Sequence, residues 1–188
     1  MTVNVAYSTS EFYSKCTGIS ILSLLENNQD IENLDIYVFT TDLTPQSEEL
    51  LKQVTDKYNR KLTVINVKDE IENLANDFNL LILRGAYNTY TRIFSSYWLK
   101  ELDRILFIDS DTLVVGSILD LYETELDDFV ISAVPDAGIY GRKILYDDAD
   151  LINLGEKYFN AGVILLNLKK WREEKINSLI SENIRNYN

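Results

Sequence analysis

The sequence contains no histidine. That absence removes a Ser-His-Asp triad, a histidine general base and a histidine-rich zinc site, leaving carboxylates, amides, hydroxyls, Arg, Lys or a bound metal to carry any chemistry. A single cysteine, Cys16, excludes an internal disulfide and fits a reducing compartment, so a cytoplasmic location is expected. Bases are also few: 18 Lys and Arg stand against 30 Asp and Glu, and the formal charge of −12 is the reverse of a nucleic-acid binder's. No apolar run approaches the ~20 residues of a membrane span. The opening MTVNVAYSTS lacks the basic and apolar regions of a signal peptide. The seven glycines are scattered, with no phosphate loop of the form GxxxxGK[ST]. Only two prolines and no Gly/Ser linker interrupt the chain, so a single domain over residues 1–188 is expected.

What is present suits a globular chain: 46% of residues are apolar, enough for a sizeable core at this length. Residues 3–8, 34–41 and 61–67 read as strands. A helix is predicted over 13–26, with Cys16, Ile19, Leu22 and Leu25 on its buried face, and Cys16 as a packing residue. A second helix starts at Thr44 and Pro45, as a capping residue followed by proline at the first helical position. Strand alternating with helix predicts an α/β protein with a mostly parallel central sheet flanked by helices and a Rossmann-like nucleotide-binding half. Residues 68–83 are predicted to be partly helical and 88–102 helical, with Tyr87, Tyr90, Tyr97 and Trp98 read as core. Residues 104–110 and 128–136 form a fourth and a fifth strand. Residues 158–168, continuously apolar after Gly162, form a sixth that is buried on both faces, and an amphipathic helix closes the chain.

The fourth strand raises the functional question, because Ile105, Leu106, Phe107 and Ile108 run straight into Asp109, Ser110 and Asp111. Two carboxylates one residue apart repel each other, so they are either a solvated turn or the holders of a cation. Ligands of open α/β sheets bind at the carboxyl ends of strands, and alternate positions in extended backbone share a side. An all-oxygen pair favours Mg, Mn or Ca, and such an ion would neutralise a diphosphate despite the acidic chain. A second match, Asp148-Ala149-Asp150, follows no strand and is read as a solvated loop. Arg92 is either a solvated helix charge or, given its apolar neighbours, a group reaching a partner. Asn160 lies in an apolar strand, where it either satisfies a turn or serves a site.

Five segments in order resemble the retaining glycosyltransferases of family eight: VAYSTSEFY, NTYTRI, RILFIDSDTLV, VPD and YFNAGVILLNLKKWR. The group includes lipopolysaccharide galactosyl- and glucosyltransferases, glycogenin and the general stress protein A type. The resemblance implies a GT-A fold and a metal-dependent transfer of glucose or galactose from UDP-glucose or UDP-galactose to an acceptor hydroxyl, with retention. Ala6, Ser8 and Ser10 then fall where the first strand meets uracil and ribose, and Ser110 lies near the ribose. Arg84 and Arg92 would reach the donor. Asp109 and Asp111 would hold Mn2+ or Mg2+, with Asp109 also near the sugar. Asp136 and Asn160 would line the sugar and acceptor side. The acceptor would be a saccharide, a lipid-linked saccharide or a glycoprotein, with no nucleic acid, no membrane span, and peripheral membrane contact in a full-length form. Relatives continue into a DQD-like segment and a metal-binding histidine, so the resemblance implies a chain lacking that C-terminal portion. A non-catalytic module for UDP-sugar and divalent cations is the alternative.

Overall fold

The computed structural model describes residues 1–78, 80, 87–138 and 158–187. Its centre is a six-stranded sheet made of β1 (Val3–Thr9), β2 (Leu34–Thr40), β3 (Lys61–Asn66), β4 (Arg104–Ile108), β5 (Ile131–Pro135) and β6 (Phe159–Asn167). The order across the sheet is β3-β2-β1-β4-β6-β5. Neighbours from β3 to β4 are parallel, whereas β6 runs antiparallel to both β4 and β5. The sheet is thus mostly parallel, with one reversed strand inside it.

Alternation along the strands divides the core between two faces. Val5, Tyr7, Leu106 and Ile108 face one layer, where α1 (Ser14–Glu26) and α2 (Pro45–Asp56) contribute Ile21, Leu24 and Leu51. Ala6, Ile105 and Phe107 face the other, which holds Ile71 of α3 (Lys68–Phe78) and Phe94 of α4 (Thr91–Trp98). Trp171 of α6 (Leu168–Glu173) joins this second layer, as does the partly buried Ile180 of α7 (Ile176–Tyr187); between β4 and β5 lies the one-turn α5 (Leu119–Tyr122). β6 is buried through Ile164, Leu165 and Leu166 because it sits between two strands under both layers.

Local chemistry sets several element ends. α2 begins as predicted: Thr44 Oγ1 accepts from Ser47 N and Pro45 follows the cap. The helix predicted over 88–102 is shorter, a 3-10 turn at Asn88–Tyr90 leading into α4 and ending where Leu99 leaves helical geometry. Of its aromatic residues, Tyr87, Tyr90 and Trp98 pack against the core, but Tyr97 is exposed. The closing helix is two helices, because Lys175 between them adopts the left-handed φ of 53°.

Of the predicted buried face of α1 only Leu25 is buried; Cys16, Ile19 and Leu22 are not. Cys16 is exposed, and Ile19 and Leu22 open into a groove towards α2 lined by Gly18, Leu50 and Val54. The side packed on the sheet carries Ser14, Thr17, Ser20, Ile21, Leu24 and Leu25. Hydroxyls are tolerated there because each has a hydrogen-bond partner: Thr17 Oγ1 lies 2.7 Å from Thr9 Oγ1, and Ser20 Oγ donates to Tyr7 Oη at 3.3 Å.

Candidate active site at the carboxyl edge of the sheet

β1 and β4 end, and the reversed β6 begins, along one edge of the sheet. The reversal brings the amino end of β6 beside the end of β4, where Asp109 N donates to Gly162 O at 2.7 Å. Gly162 N donates in turn to Asn160 Oδ1 at 2.8 Å. The approach is close at Gly162: a Cβ there would stand 2.9 Å from Asn160 Oδ1 and 3.0 Å from Asp109 Oδ2, so one of these side chains would have to shift.

Arg92 enters from the first turn of α4. Its Nη2 lies 2.7 Å from Asp109 Oδ1, and its Nη1 donates to Ala161 O. The arginine side chain is 12% exposed and the aspartate 41%, so the cation is sunk into the wall while the carboxylate reaches solvent. Arg92 Nε is buried with no partner among the described residues. The choice between a solvated charge and a partnered one is therefore decided for Arg92: it is an inward-facing guanidinium aimed at the strand end.

The end of β1 is docked by the turn before α4. Ser8 Oγ donates to Asn88 O at 2.5 Å and lies 2.9 Å from Thr91 Oγ1, while Asn88 Nδ2 donates to Thr9 O at 2.8 Å. Asn88 Oδ1 is buried and has no partner among the described residues. Ser110, itself buried, donates through Oγ to Ser8 O at 3.1 Å. Asp111 is exposed and stands in a turn rather than in the extended backbone expected from the sequence, because the chain turns at Ser110 and Asp111 and Thr112 N bonds back to Asp109 O at 3.3 Å.

The remaining residues are more spread out. Ser10 is half-buried and its carbonyl accepts from Tyr13 N at 3.0 Å. Ala6 lies mid-strand between Tyr37 and Phe107 with no exposed surface, so its side chain is core. Asp136 follows β5; its Oδ1 accepts from Gly138 N at 2.8 Å, and its own N–H donates to Tyr158 O at 3.1 Å. The β5–β6 pairing sets Val134 against Asn160, which ties Asp136 to the same edge. Arg84, Asp148 and Asp150 lie outside the described residues. The edge thus gathers Ser8, Arg92, Asp109, Ser110 and Asn160, with Asp111 and Asp136 on its rim.

Sequence reading passed over Asn88, Thr91, Thr112 and Gly162. Their signal was position, since Asn88 and Thr91 sit beside Arg92 in NTYTR and Thr112 directly follows Asp111. A polar side chain next to a site residue has no pattern of its own until its partner is known.

The donor set fits a hard divalent ion: Asp109 and Asp111 offer carboxylate oxygens alone, and the missing Cβ of Gly162 leaves space beside Asp109 Oδ2. Among the described residues no third His, Cys, Asp or Glu joins them.

The model described as Glycosyl transferase family 8 matches residues 4–188. The lipopolysaccharide 1,2-glucosyltransferase of Escherichia coli K12 is 29% identical over 176 residues, covering 93% of this chain and 50% of that protein. General stress protein A of Bacillus subtilis is 24% identical over 93% of this chain and 59% of its own length. Among solved structures, the galactosyltransferase LgtC in complex with donor and acceptor sugar analogues superposes with a TM-score of 0.73 at 26% identity, over 98% of this chain and 66% of that one. The bifunctional glycosyltransferase WbbM superposes with a TM-score of 0.78 at 23% identity, over 98% and 34%. The chain spans about half the length of the curated relatives it matches. Its reversed sixth strand, its Asp-Ser-Asp strand end and its matched span agree: the chain has a GT-A fold and belongs to glycosyl transferase family 8.

Proposed function

We propose that this protein transfers a glucosyl or galactosyl group from its UDP-sugar to an acceptor hydroxyl, with retention at the anomeric carbon and with a divalent cation. The observation that carries this reading is the half-open carboxylate of Asp109, gripped on one oxygen by the sunken Arg92 at the edge where the strands end. Asp109 and Asp111 would hold Mn2+ or Mg2+. When bound, the ion would supply positive charge to neutralise the diphosphate leaving group. Arg92 adds a fixed cation in a wall already shielded from water, where charge stabilisation needs no reorganisation. Ser8, Ser10 and the Ser110 backbone would meet the nucleoside beyond the end of β1, with Ala6 beneath them and Arg84 as a further donor contact. Asp136 and Asn160 would line the sugar and acceptor side.

In the transfer, the bond from the anomeric carbon to the diphosphate oxygen breaks with its electron pair leaving on UDP. The acceptor oxygen forms the new bond on that same face and gives its proton to the departing phosphate oxygen. LgtC, solved with donor and acceptor sugar analogues, supports a two-substrate cleft at this edge. The alternative of a module that binds without turnover separates in the same assay.

Calorimetric titration of UDP and UDP-glucose or UDP-galactose, with and without Mn2+, tests the donor site. Affinity should need the metal and fall at least about tenfold in Asp109→Asn and Asp111→Asn, a charge-assisted contact being worth roughly 1.5–3 kcal/mol. Metal-independent affinity, or affinity unchanged in both variants, would refute the site. Release of UDP in the presence of a saccharide acceptor distinguishes transfer from binding alone.

A further inference from the structure

The Asp-Ser-Asp turn is fastened at three points to three different elements. Asp109 N is held by Gly162 O of β6, Ser110 Oγ by Ser8 O of β1, and Thr112 closes the turn towards α1. Thr112 Oγ1 donates to Asp109 O at 2.8 Å, and Thr112 N reaches the same oxygen at 3.3 Å. On its other side Thr112 Oγ1 lies 3.3 Å from Ser20 Oγ, which donates to the phenol of the fully buried Tyr7.

The contacts continue along α1. Ser23 Oγ accepts from Val114 N at 2.9 Å, and Asn27 Nδ2 donates to Val114 O at 2.9 Å. Asn28 Oδ1 accepts from Ile118 N at 2.8 Å and its Nδ2 donates to Gly116 O at 3.3 Å. Among the described residues segment 112–118 pairs with no strand, and Ser23 of α1 with Asn27 and Asn28 just after it bond its backbone instead.

We propose that Thr112 is a positioning residue for the two carboxylates: by closing the turn onto Asp109 O it fixes the backbone that carries Asp111. The proposal rests on reading Asp109 and Asp111 as the holders of the ion. Without the Thr112 hydroxyl the turn keeps its two sheet contacts, but Asp111, which lies beyond both, loses its fixed direction.

The test is titration of the whole chain with MnCl2 and no nucleotide, alongside thermal melting. Thr112→Val keeps the side-chain shape and should weaken Mn2+ binding about five- to tenfold, the worth of one net hydrogen bond. Its melting temperature should stay close to the parent's, and Thr112→Ser should restore the affinity. Amide exchange at residues 111–113 of metal-free Thr112→Val should be faster than in the parent. Parent-like Mn2+ affinity in Thr112→Val, with Asp111→Asn still losing it, overturns this inference and leaves the donor-site reading intact. A parent chain that binds Mn2+ no better than Asp109→Asn overturns both. Should Thr112→Val fail to fold, Thr112→Ala decides: a weaker affinity upholds the inference and an unchanged one refutes it.

Discussion

Asp109 is shaped by what surrounds it more than by its own position. Arg92 occupies one of its oxygens, and the bare backbone of Gly162 leaves the other open. Gly162→Ala should therefore act on the site and on stability together. Its Cβ would meet Asn160 Oδ1 and Asp109 Oδ2 at distances that force one of them aside. Arg92 holds the aspartate, so the strain falls on a pinned group, and a loss of about 1–3 kcal/mol is expected, as for other overpacked positions. Urea melts should show it, and Mn2+ titration should show a weaker site even at temperatures where the variant is fully folded. The place of Asp109 at a strand end was legible from sequence, because the apolar run of β4 stops at Ile108. Gly162 was not, since its role appears only once β6 is known to run against β4.

α1 and α2 show how an element can mislead and how it can be tested. Periodicity placed Ile19 and Leu22 inside because apolar spacing normally marks the buried stripe. The buried side instead carries Ile21, Leu24 and Leu25 together with Ser14, Thr17 and Ser20, hydroxyls whose hydrogen bonds to Ser47, Thr9 and Tyr7 let them stand where apolar residues were expected. At the foot of α2, Glu11 reaches across from the 3-10 turn after β1, accepting from Thr44 N at 2.8 Å and from Ser47 Oγ at 2.7 Å. These bonds, the Thr44 amide first, hold the Glu11 carboxyl below the usual carboxylate range. A lowered folded-state pKa stabilises above the unfolded value of about 4.3 and is lost as pH falls through the folded one. Glu11→Gln should accordingly be less stable than the parent at neutral pH, and the gap should close as falling pH protonates the folded-state carboxyl. Denaturant melts of both chains from neutral to acid pH check it; a gap that stays constant would mean the carboxylate charge plays no part in fixing α2. The start of α2 was readable from Thr44 and Pro45 alone, whereas the tie to Glu11 joins residues thirty-three apart and has no local pattern.

Across the whole molecule the charge of −12 acts on the two ligands with opposite sign. A divalent cation is drawn in by the field and a diphosphate is repelled, and both effects fade as salt shortens the screening length from ~10 Å at 0.1 M to ~3 Å at 1 M. Raising the salt should weaken Mn2+ binding to the free chain, and calorimetry at two ionic strengths reads it. The parallel part of the sheet was legible from three strand–helix repeats near the start. The direction of β6 was not, because a strand buried on both faces reads the same either way. That reversed strand has a further consequence. β5 ends and β6 begins on one rim, with Pro135 opposite Phe159, so the connection between them departs from and returns to the edge where substrates would meet. Doubling the length of a flexible connection costs only about 0.6 kcal/mol of closure entropy. The fold therefore offers a place where insertions can diversify what is recognised while the strand ladder and the carboxylate turn stay unchanged.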